Sequence, residues 1–466
     1  MHSDELADLS AADLAGLIRQ KQVSPVEVME AVLARIERVN PRLNAYCVVT
    51  ADAARTEARA AEATVLRGAG SGPLCGVPFS VKDLVITRGV RTAFGSRIYE
   101  QHVPEEDAPV VERLKAAGAI MVGKTTTPEF GWKGTTDSPL TGTSRNPWDL
   151  TKTPGGSSGG AAAAVAAGLA PLAVGTDGGG SIRIPGSFCG VFGLKPTYGL
   201  VPVYPAPATG TLSHVGPMTR TVRDAALMLQ AMAGPDERDP LSFPATGSDF
   251  ASGLAMGIRG LRVAWSPTFG YAHVAPEVRA LTAAAARRFQ DLGCHVEEVE
   301  RVFGDPDPIW APLFYAGIAA RLRDFLPEWR DRMDPGLLEV VEEGCRLGAM
   351  ELSHANSARA AFYQEARRFF ERFDLLLSPT LAVPPFAAGM ERPADYPGGS
   401  RLSWVAFTYP FNLTGQPAAT VPCGFTAGGL PVGLQIVGRR LQDALVLRAS
   451  AAFETAAPWS GRRPLV

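Results

Sequence analysis

Three side chains in this chain have types and settings suited to acyl transfer. Lys82 closes a short apolar run, GVPFSVKD at 76–83; Ser157 lies inside GGSSGG at 155–160; Ser181 directly follows Gly178, Gly179 and Gly180. A serine hydroxyl is a weak nucleophile until a base takes its proton. A lysine in water, with a pKa near ~10.4, is charged at neutral pH and cannot be that base. Burial removes hydration from the ammonium and lowers its pKa, and a lysine at the end of an apolar strand is placed for burial. Ser157 could then relay a proton, accepting a hydrogen bond from Ser181 and donating one to the lysine. The glycines before Ser181 carry no side chains, so their successive N–H groups can converge on one oxygen, as an oxyanion hole requires. Loss of one such donor typically costs about 10²–10³ in rate.

Two other patterns compete for the same stretches. GAIMVGKT at 118–125 matches the phosphate-loop expression G-x-x-x-x-G-K-T. A phosphate cradle needs a flexible loop between a strand and a helix, whereas the four intervening residues here are apolar and strand-like, and Pro128 follows soon after. GGSSG at 155–159 matches the nucleophile elbow G-x-S-x-G. An alanine-rich helix does follow, but DLTKTP at 149–154 is not an apolar strand. His214, His273, His295 and His354 lie downstream without a telling context.

The elements that must hold these residues read as α/β. Short apolar runs at 77–81, 120–122, 172–174, 261–265, 375–377, 418–421 and 432–437 alternate with helical patterns near 107–117, 159–168, 221–232, 276–292 and 441–454. That alternation predicts a mixed, mostly parallel central sheet covered by helices, in one large domain over 1–466. Residues 1–70 read as helices. Ser10 can cap one, and Ser24-Pro25-Val26-Glu27 combines an N-cap serine, a first-turn proline and a capping-box glutamate. Residues 76–200 hold the catalytic motifs. Residues 301–400 are rich in arginine, glutamate and aromatics, read as helices, and are expected to form a cap region near the substrate entrance or else ordinary peripheral helices.

Bulk properties narrow the function further. The chain has 466 residues, 46% hydrophobic and 20% charged, with a net charge of −2. Such a balance points to no nucleic-acid partner and no membrane surface, and no apolar run nears the roughly 20 residues that span a bilayer. The N-terminus lacks a basic and apolar leader pattern, so a cytoplasmic location is expected. Six scattered cysteines and six dispersed histidines offer neither a C-x-x-C pair nor metal-ligand spacing. No metal and no cofactor are expected, and the oligomeric state is open, a homodimer included.

Several motifs together resemble the amidase signature hydrolases. They are GVPFSVKDL at 76–84, GKTTTPEFG at 123–131, SRNPWD at 144–149, GGSSGG at 155–160, GTDGGGSIRIPGSFCGVFGLKPT at 175–197, GPMTRTVRDAALML at 216–229 and GLPVGLQIVG at 429–438. The resemblance covers nearly the whole chain. It implies the amidase signature fold and hydrolysis of a carboxylic amide through an acyl-enzyme. Ser181 would be the nucleophile, Ser157 the bridging serine after a cis peptide bond from Gly156, and Lys82 the base. The amides of Gly178, Gly179, Gly180 and Ser181 would form the oxyanion hole. Asp177 and Arg183 would hold the loop, and Ser158 would be structural.

The family also includes glutamine-using amidotransferase subunits, in which an aspartate before a VPANL-like segment holds the substrate's amino group. Its place falls at Val405 here, and no acid lies between Arg401 and Gln416. A buried ammonium without a counter-charge is costly, so the sequence favours a stand-alone amidase. Phe130, Gly131, Trp132, Trp404 and Phe407 are the expected substrate-pocket residues, although aromatics near a site also serve plain packing. They suit a hydrophobic aryl or alkyl amide as small-molecule substrate, with aryl carbamates or esters as alternatives on the same site.

Overall fold

The apolar runs become strands at the expected places. In chain order the strands are β1 (Tyr46–Val49), β2 (Pro78–Lys82), β3 (Ile120–Thr125), β4 (Asp137–Ser138), β5 (Gly142–Thr143), β6 (Leu172–Asp177), β7 (Phe192–Lys195), β8 (His214–Thr219), β9 (Arg262–Trp265), β10 (His295–Glu298), β11 (Leu375–Pro379), β12 (Ala418–Phe425) and β13 (Pro431–Gly438). The computed structural model describes residues 3–68, 72–245, 249–397 and 400–466; the end of the 1–70 segment, residues 69–70, lies outside them, as do residues 1–2. β4 and β5 form a small separate hairpin, and the rest make one sheet in the order β1-β3-β2-β6-β8-β7-β12-β13-β11-β9-β10.

The sheet is mixed and flanked by helices, and its two directions are segregated. β3, β2 and β6 run parallel on one side, and β11, β9 and β10 on the other. The centre, from β6 through β8, β7, β12 and β13 to β11, is antiparallel. β7 and β8 carry much of that antiparallel centre, and their sequences hide them. FGLK and HVGPMT contain glycine, proline, lysine and histidine, so neither shows an uninterrupted apolar run, yet every residue of both is buried.

The parallel block positions the chemistry. β2 and β6 are neighbours with Val81 opposite Val174, so their C-terminal ends, carrying Lys82 and Thr176-Asp177, reach one edge together. Ligand sites in such sheets form outside the carboxyl ends of parallel strands. The connection from β3 to β6 passes through the helix Gly159–Ala166, whose eight residues are all buried. Its small side chains allow close contact. A Cβ on Gly159 would stand 2.3 Å from Thr136 Oγ1, and one on Gly160 would stand 2.5 Å from the Ala45 carbonyl. The N-terminal helices follow their caps: Asp13 N–H donates to Ser10 Oγ at 3.0 Å, and the Ser24–Glu27 capping box is complete.

Residues 301–400 are largely helical, with Asp307–Leu322, Pro335–Arg346 and Ala349–Arg372 as the long members. Their apolar faces pack on a second core that includes Trp310, Phe314, Phe362 and Phe370 with Phe407 and Phe411. Each such fully buried side chain contributes on the order of 1.5–3 kcal/mol. Trp310, Phe314, Tyr315 and Val340 of this region line the same cavity as Ser157, Thr176 and Ser181.

Candidate active site

Lys82 is wholly inaccessible to solvent. Its Nζ lies 2.7 Å from Ser157 Oγ, 2.9 Å from Ser158 Oγ and 2.8 Å from Thr176 Oγ1. Three hydroxyls surround it, and among the described residues no carboxylate pairs with it. Burial therefore dominates and holds its pKa well below the ordinary lysine value; the more distant Asp177 charge opposes this only in part. The hydroxyl of Ser158 donates to the Thr176 carbonyl at 3.1 Å, so toward Lys82 it can only accept. Ser157 keeps its proton free to move.

Ser157 follows a cis peptide bond from Gly156. A Cβ at 156 would stand 2.3 Å from the Thr135 carbonyl oxygen, so only glycine fits there. Ser158 N–H donates to the Ser181 carbonyl at 3.2 Å, which ties the two serine loops together. Ser157 and Ser181 both line the same cavity. No hydrogen bond joins the two hydroxyls among the described residues.

The loop between β6 and Ser181 is gripped from below by a buried cation. Arg183 donates all five of its N–H groups: Nε to Asp177 Oδ2 at 3.0 Å, Nη2 to Asp177 Oδ1 at 2.8 Å and Asn412 Oδ1 at 2.7 Å, and Nη1 to the Thr408 carbonyl at 2.7 Å and Gln435 Oε1 at 2.8 Å. Burial alone would raise the Asp177 pKa, but the Arg183 charge and its hydrogen bonds hold the carboxyl well below the usual range. Asp177 then fixes the loop backbone through Gly180 N–H at 2.8 Å and Ile182 N–H at 3.1 Å. Gly180 is therefore not free as an oxyanion donor. The N–H groups of Gly178, Gly179 and Ser181 meet no acceptor among the described residues.

These loops face a cavity of about 110 Å³. Phe130, Gly131 and Trp132 form one wall, Trp310 and Phe314 another, and Trp404 and Val405 a third. Phe130 holds φ at 51°, with its N–H bonded to the Phe94 carbonyl at 2.7 Å; a left-handed backbone costs an L-residue roughly 1–2 kcal/mol. A second cavity of about 140 Å³ adjoins the first and shares Leu84, Phe130, Thr176, Thr209 and Ser213 with it.

The amidase family model matches residues 27–447. The chain belongs to the amidase signature family. It is 42% identical to an acylamidase of Rhodococcus erythropolis over 475 residues, covering 100% of this chain and 98% of that protein. It is 40% identical to a glutamyl-tRNA(Gln) amidotransferase subunit of Moorella thermoacetica over 489 residues, covering 99% of each. Its structure superposes on that of a bacterial aryl acylamidase of the amidase signature family with a TM-score of 0.91, at 35% identity over 97% of both chains.

Within this amidase most expected positions meet at one place: Lys82, Ser157, Ser181, Gly178, Gly179, Phe130, Gly131, Trp132 and Trp404. Two expectations need correction. Gly180 gives its N–H to Asp177. Phe407 is not on the cavity wall; it is fully buried, edge-on to Phe269 at 4.9 Å, with its carbonyl accepting from Gln435 Nε2. The nearness of Trp404 in sequence misled, because the turn Ser403–Val405 presents Trp404 and Val405 to the cavity and sends residue 407 into the core. Thr176 and Trp310 join the site without having been anticipated from sequence. Thr176 lies one residue before Asp177 within GTDGGGS, so its proximity to the β6 end was a usable signal. GAIMVGKT is no phosphate loop: residues 120–125 are strand β3, and Lys124 is buried, donating to the Val85 carbonyl at 2.6 Å and Thr92 Oγ1 at 2.7 Å.

Proposed function

We propose that this amidase hydrolyses small hydrophobic aryl or alkyl amides with Ser181 as nucleophile, Ser157 as relay and Lys82 as base. The observation that carries the reading is Lys82 itself, inaccessible to solvent, with hydroxyls as its hydrogen-bond partners among the described residues, which favours the neutral amine. Ser181 Oγ attacks the amide carbon while its proton passes to Ser157 and the Ser157 proton passes to Lys82. The carbonyl oxygen gains the negative charge and is met by N–H groups of Gly178, Gly179 and Ser181. When the C–N bond breaks, the proton returns through Ser157 to the departing nitrogen. Water then attacks the acyl-enzyme with the same relay as base, releasing the acid and restoring Ser181.

The wall composition supports an apolar substrate. Val405, at the position where the resemblance to amidotransferase subunits implies an aspartate, faces the cavity. Glu391 also reaches the wall, paired at 3.1 Å with Arg401, which pairs with Glu339 as well. Among the described residues on the wall, Glu391 is the one carboxylate, and it is already engaged by Arg401, which favours a substrate without a free α-ammonium. The adjoining apolar cavity leaves room for a substrate with bulk on one side of the amide. The helices of 301–400, through Trp310, Phe314 and Val340, act as a cap that shapes the entrance. We place the enzyme in a reducing cytoplasm, in keeping with its six free cysteines.

The test uses the purified chain alone with a panel of nitroanilides, aryl carbamates and aryl esters, together with a fluorophosphonate probe. Anilide turnover and a probe adduct on Ser181 are expected. Absence of any turnover without a partner protein, or labelling at another serine, would overturn the proposal.

A further inference from the structure

The peptide units between Asp177 and Arg183 are each held by their carbonyl. Trp310 Nε1 donates to the Gly178 carbonyl at 3.0 Å, Thr408 Oγ1 to the Gly179 carbonyl at 2.6 Å, and Ile184 N–H to the Gly180 carbonyl at 2.7 Å. In a planar trans peptide the next residue's N–H points opposite to the held carbonyl. The three bonds therefore aim three successive N–H groups, those of Gly179, Gly180 and Ser181. The middle one meets Asp177 Oδ1. The outer two, Gly179 and Ser181, meet no acceptor among the described residues and belong to residues on the cavity wall.

We infer that Trp310 is the positioning residue for the oxyanion hole, acting through the Gly178–Gly179 peptide. The Ser181 N–H is aimed by a backbone bond from Ile184, in the helix Arg183–Cys189 that follows the loop, rather than by a side chain. The Gly179 N–H depends on one side chain from a distant helix. That side chain is well supported. Trp310 is 3% exposed and stacks on Phe314 at 4.4 Å with 18° between planes. Its ring edge also lies against Gly179, where a Cβ would stand 2.8 Å from Cζ2, so the glycine allows the indole N–H to reach the preceding carbonyl. A carbonyl freed from Trp310 would let the peptide rotate, and a rotated peptide would present oxygen instead of N–H to the developing oxyanion.

This inference rests on the proposed acyl transfer at Ser181, and the test separates the two. Fluorophosphonate labelling and anilide turnover by the wild-type enzyme establish the parent reading; without them both fall. Trp310→Phe keeps an aromatic ring beside Phe314 and removes the donor together with the ring edge against Gly179, so the same readouts are also taken with an isosteric residue. Expected is a kcat lowered by about 10–10²-fold, somewhat less than outright loss of a hole donor, with KM within about twofold. An aryl trifluoromethyl ketone, which forms a tetrahedral adduct bearing an oxyanion, should lose affinity by the same factor as kcat/KM. The isosteric residue, β-(3-benzothienyl)alanine at position 310, keeps the ring shape and replaces the N–H by sulfur, and it also serves if Trp310→Phe does not fold. A kcat within about threefold of wild type, or a rise in KM alone with unchanged ketone affinity, would show that Trp310 merely packs.

Discussion

Lys82 Nζ and Ser157 Oγ stand 2.7 Å apart with neither residue more than 2% exposed. An amine in that setting is a base only while unprotonated, and its burial shifts the balance toward that form.

The pH dependence follows with a definite sign. Lys82 has a folded-state pKa below its ordinary value, so kcat/KM should rise with pH as it loses its proton, along a limb centred below the ordinary lysine range. Stability should move the same way: between the two pKa values the unfolded chain binds more protons, and raising pH favours the fold. Lys82→Met should abolish turnover and flatten the rise of the urea midpoint with pH, contrary to any variant that merely weakens binding. A pH–rate profile and pH-resolved urea melts would show both.

Ser181→Ala should remove fluorophosphonate labelling and lower anilide kcat by about 10³-fold or more. Ser181 is only partly buried, and the unfolding free energy should change by less than about 0.5–1 kcal/mol. Mass spectrometry of the probe adduct and a denaturant melt check the two halves.

Asp177→Asn should be damaging without touching substrate. It leaves Arg183 buried beside a neutral group, and breaking one side of a buried pair costs about 3–5 kcal/mol. It also weakens the acceptor for Gly180 N–H and Ile182 N–H, so turnover should fall together with the thermal midpoint. Calorimetry beside steady-state kinetics would detect a variant that loses one and not the other.

Phe130 and Phe407 should separate specificity from stability. Phe407→Ala should destabilise the fold by about 3–5 kcal/mol while the ratio of kcat/KM between aryl and alkyl amides stays near wild type. Phe130→Ala should change that ratio, because its ring lines both cavities. A shifted ratio in the folded fraction of Phe407→Ala would contradict the assignment of residue 407 to the core.

What could be read in the chain divides along physical lines. Lys82, Ser157 and Ser181 were legible because glycine frames and an apolar strand end are local patterns. The parallel strands β2, β3, β6, β9 and β11 were legible as apolar runs; β10, with the sequence HVEE, was not. β7 and β8 were not, because their buried Lys195 and His214 mimic surface residues until a tertiary partner appears; Lys195 Nζ, for one, meets the carbonyls of Pro196 and Gln416. Gly180 looked equivalent to its two neighbours, and only the fold of Asp177 back onto the loop distinguishes it. Trp310 was visible as an aromatic in a helix, but its contact with Gly178 joins residues 132 positions apart, and no local pattern encodes that.

The helix Gly159–Ala166 is enclosed on all sides by contacts too tight for an added methyl at its first two residues, whereas the cavity walls come from loops and helices elsewhere in the chain. Heritable change is thus channelled unevenly. Directed evolution that randomises 157–166 should yield mostly insoluble clones. Libraries over 130–134, 310–315 and 402–405 should keep the reaction and redistribute it among substrates, making this scaffold retunable by its walls alone.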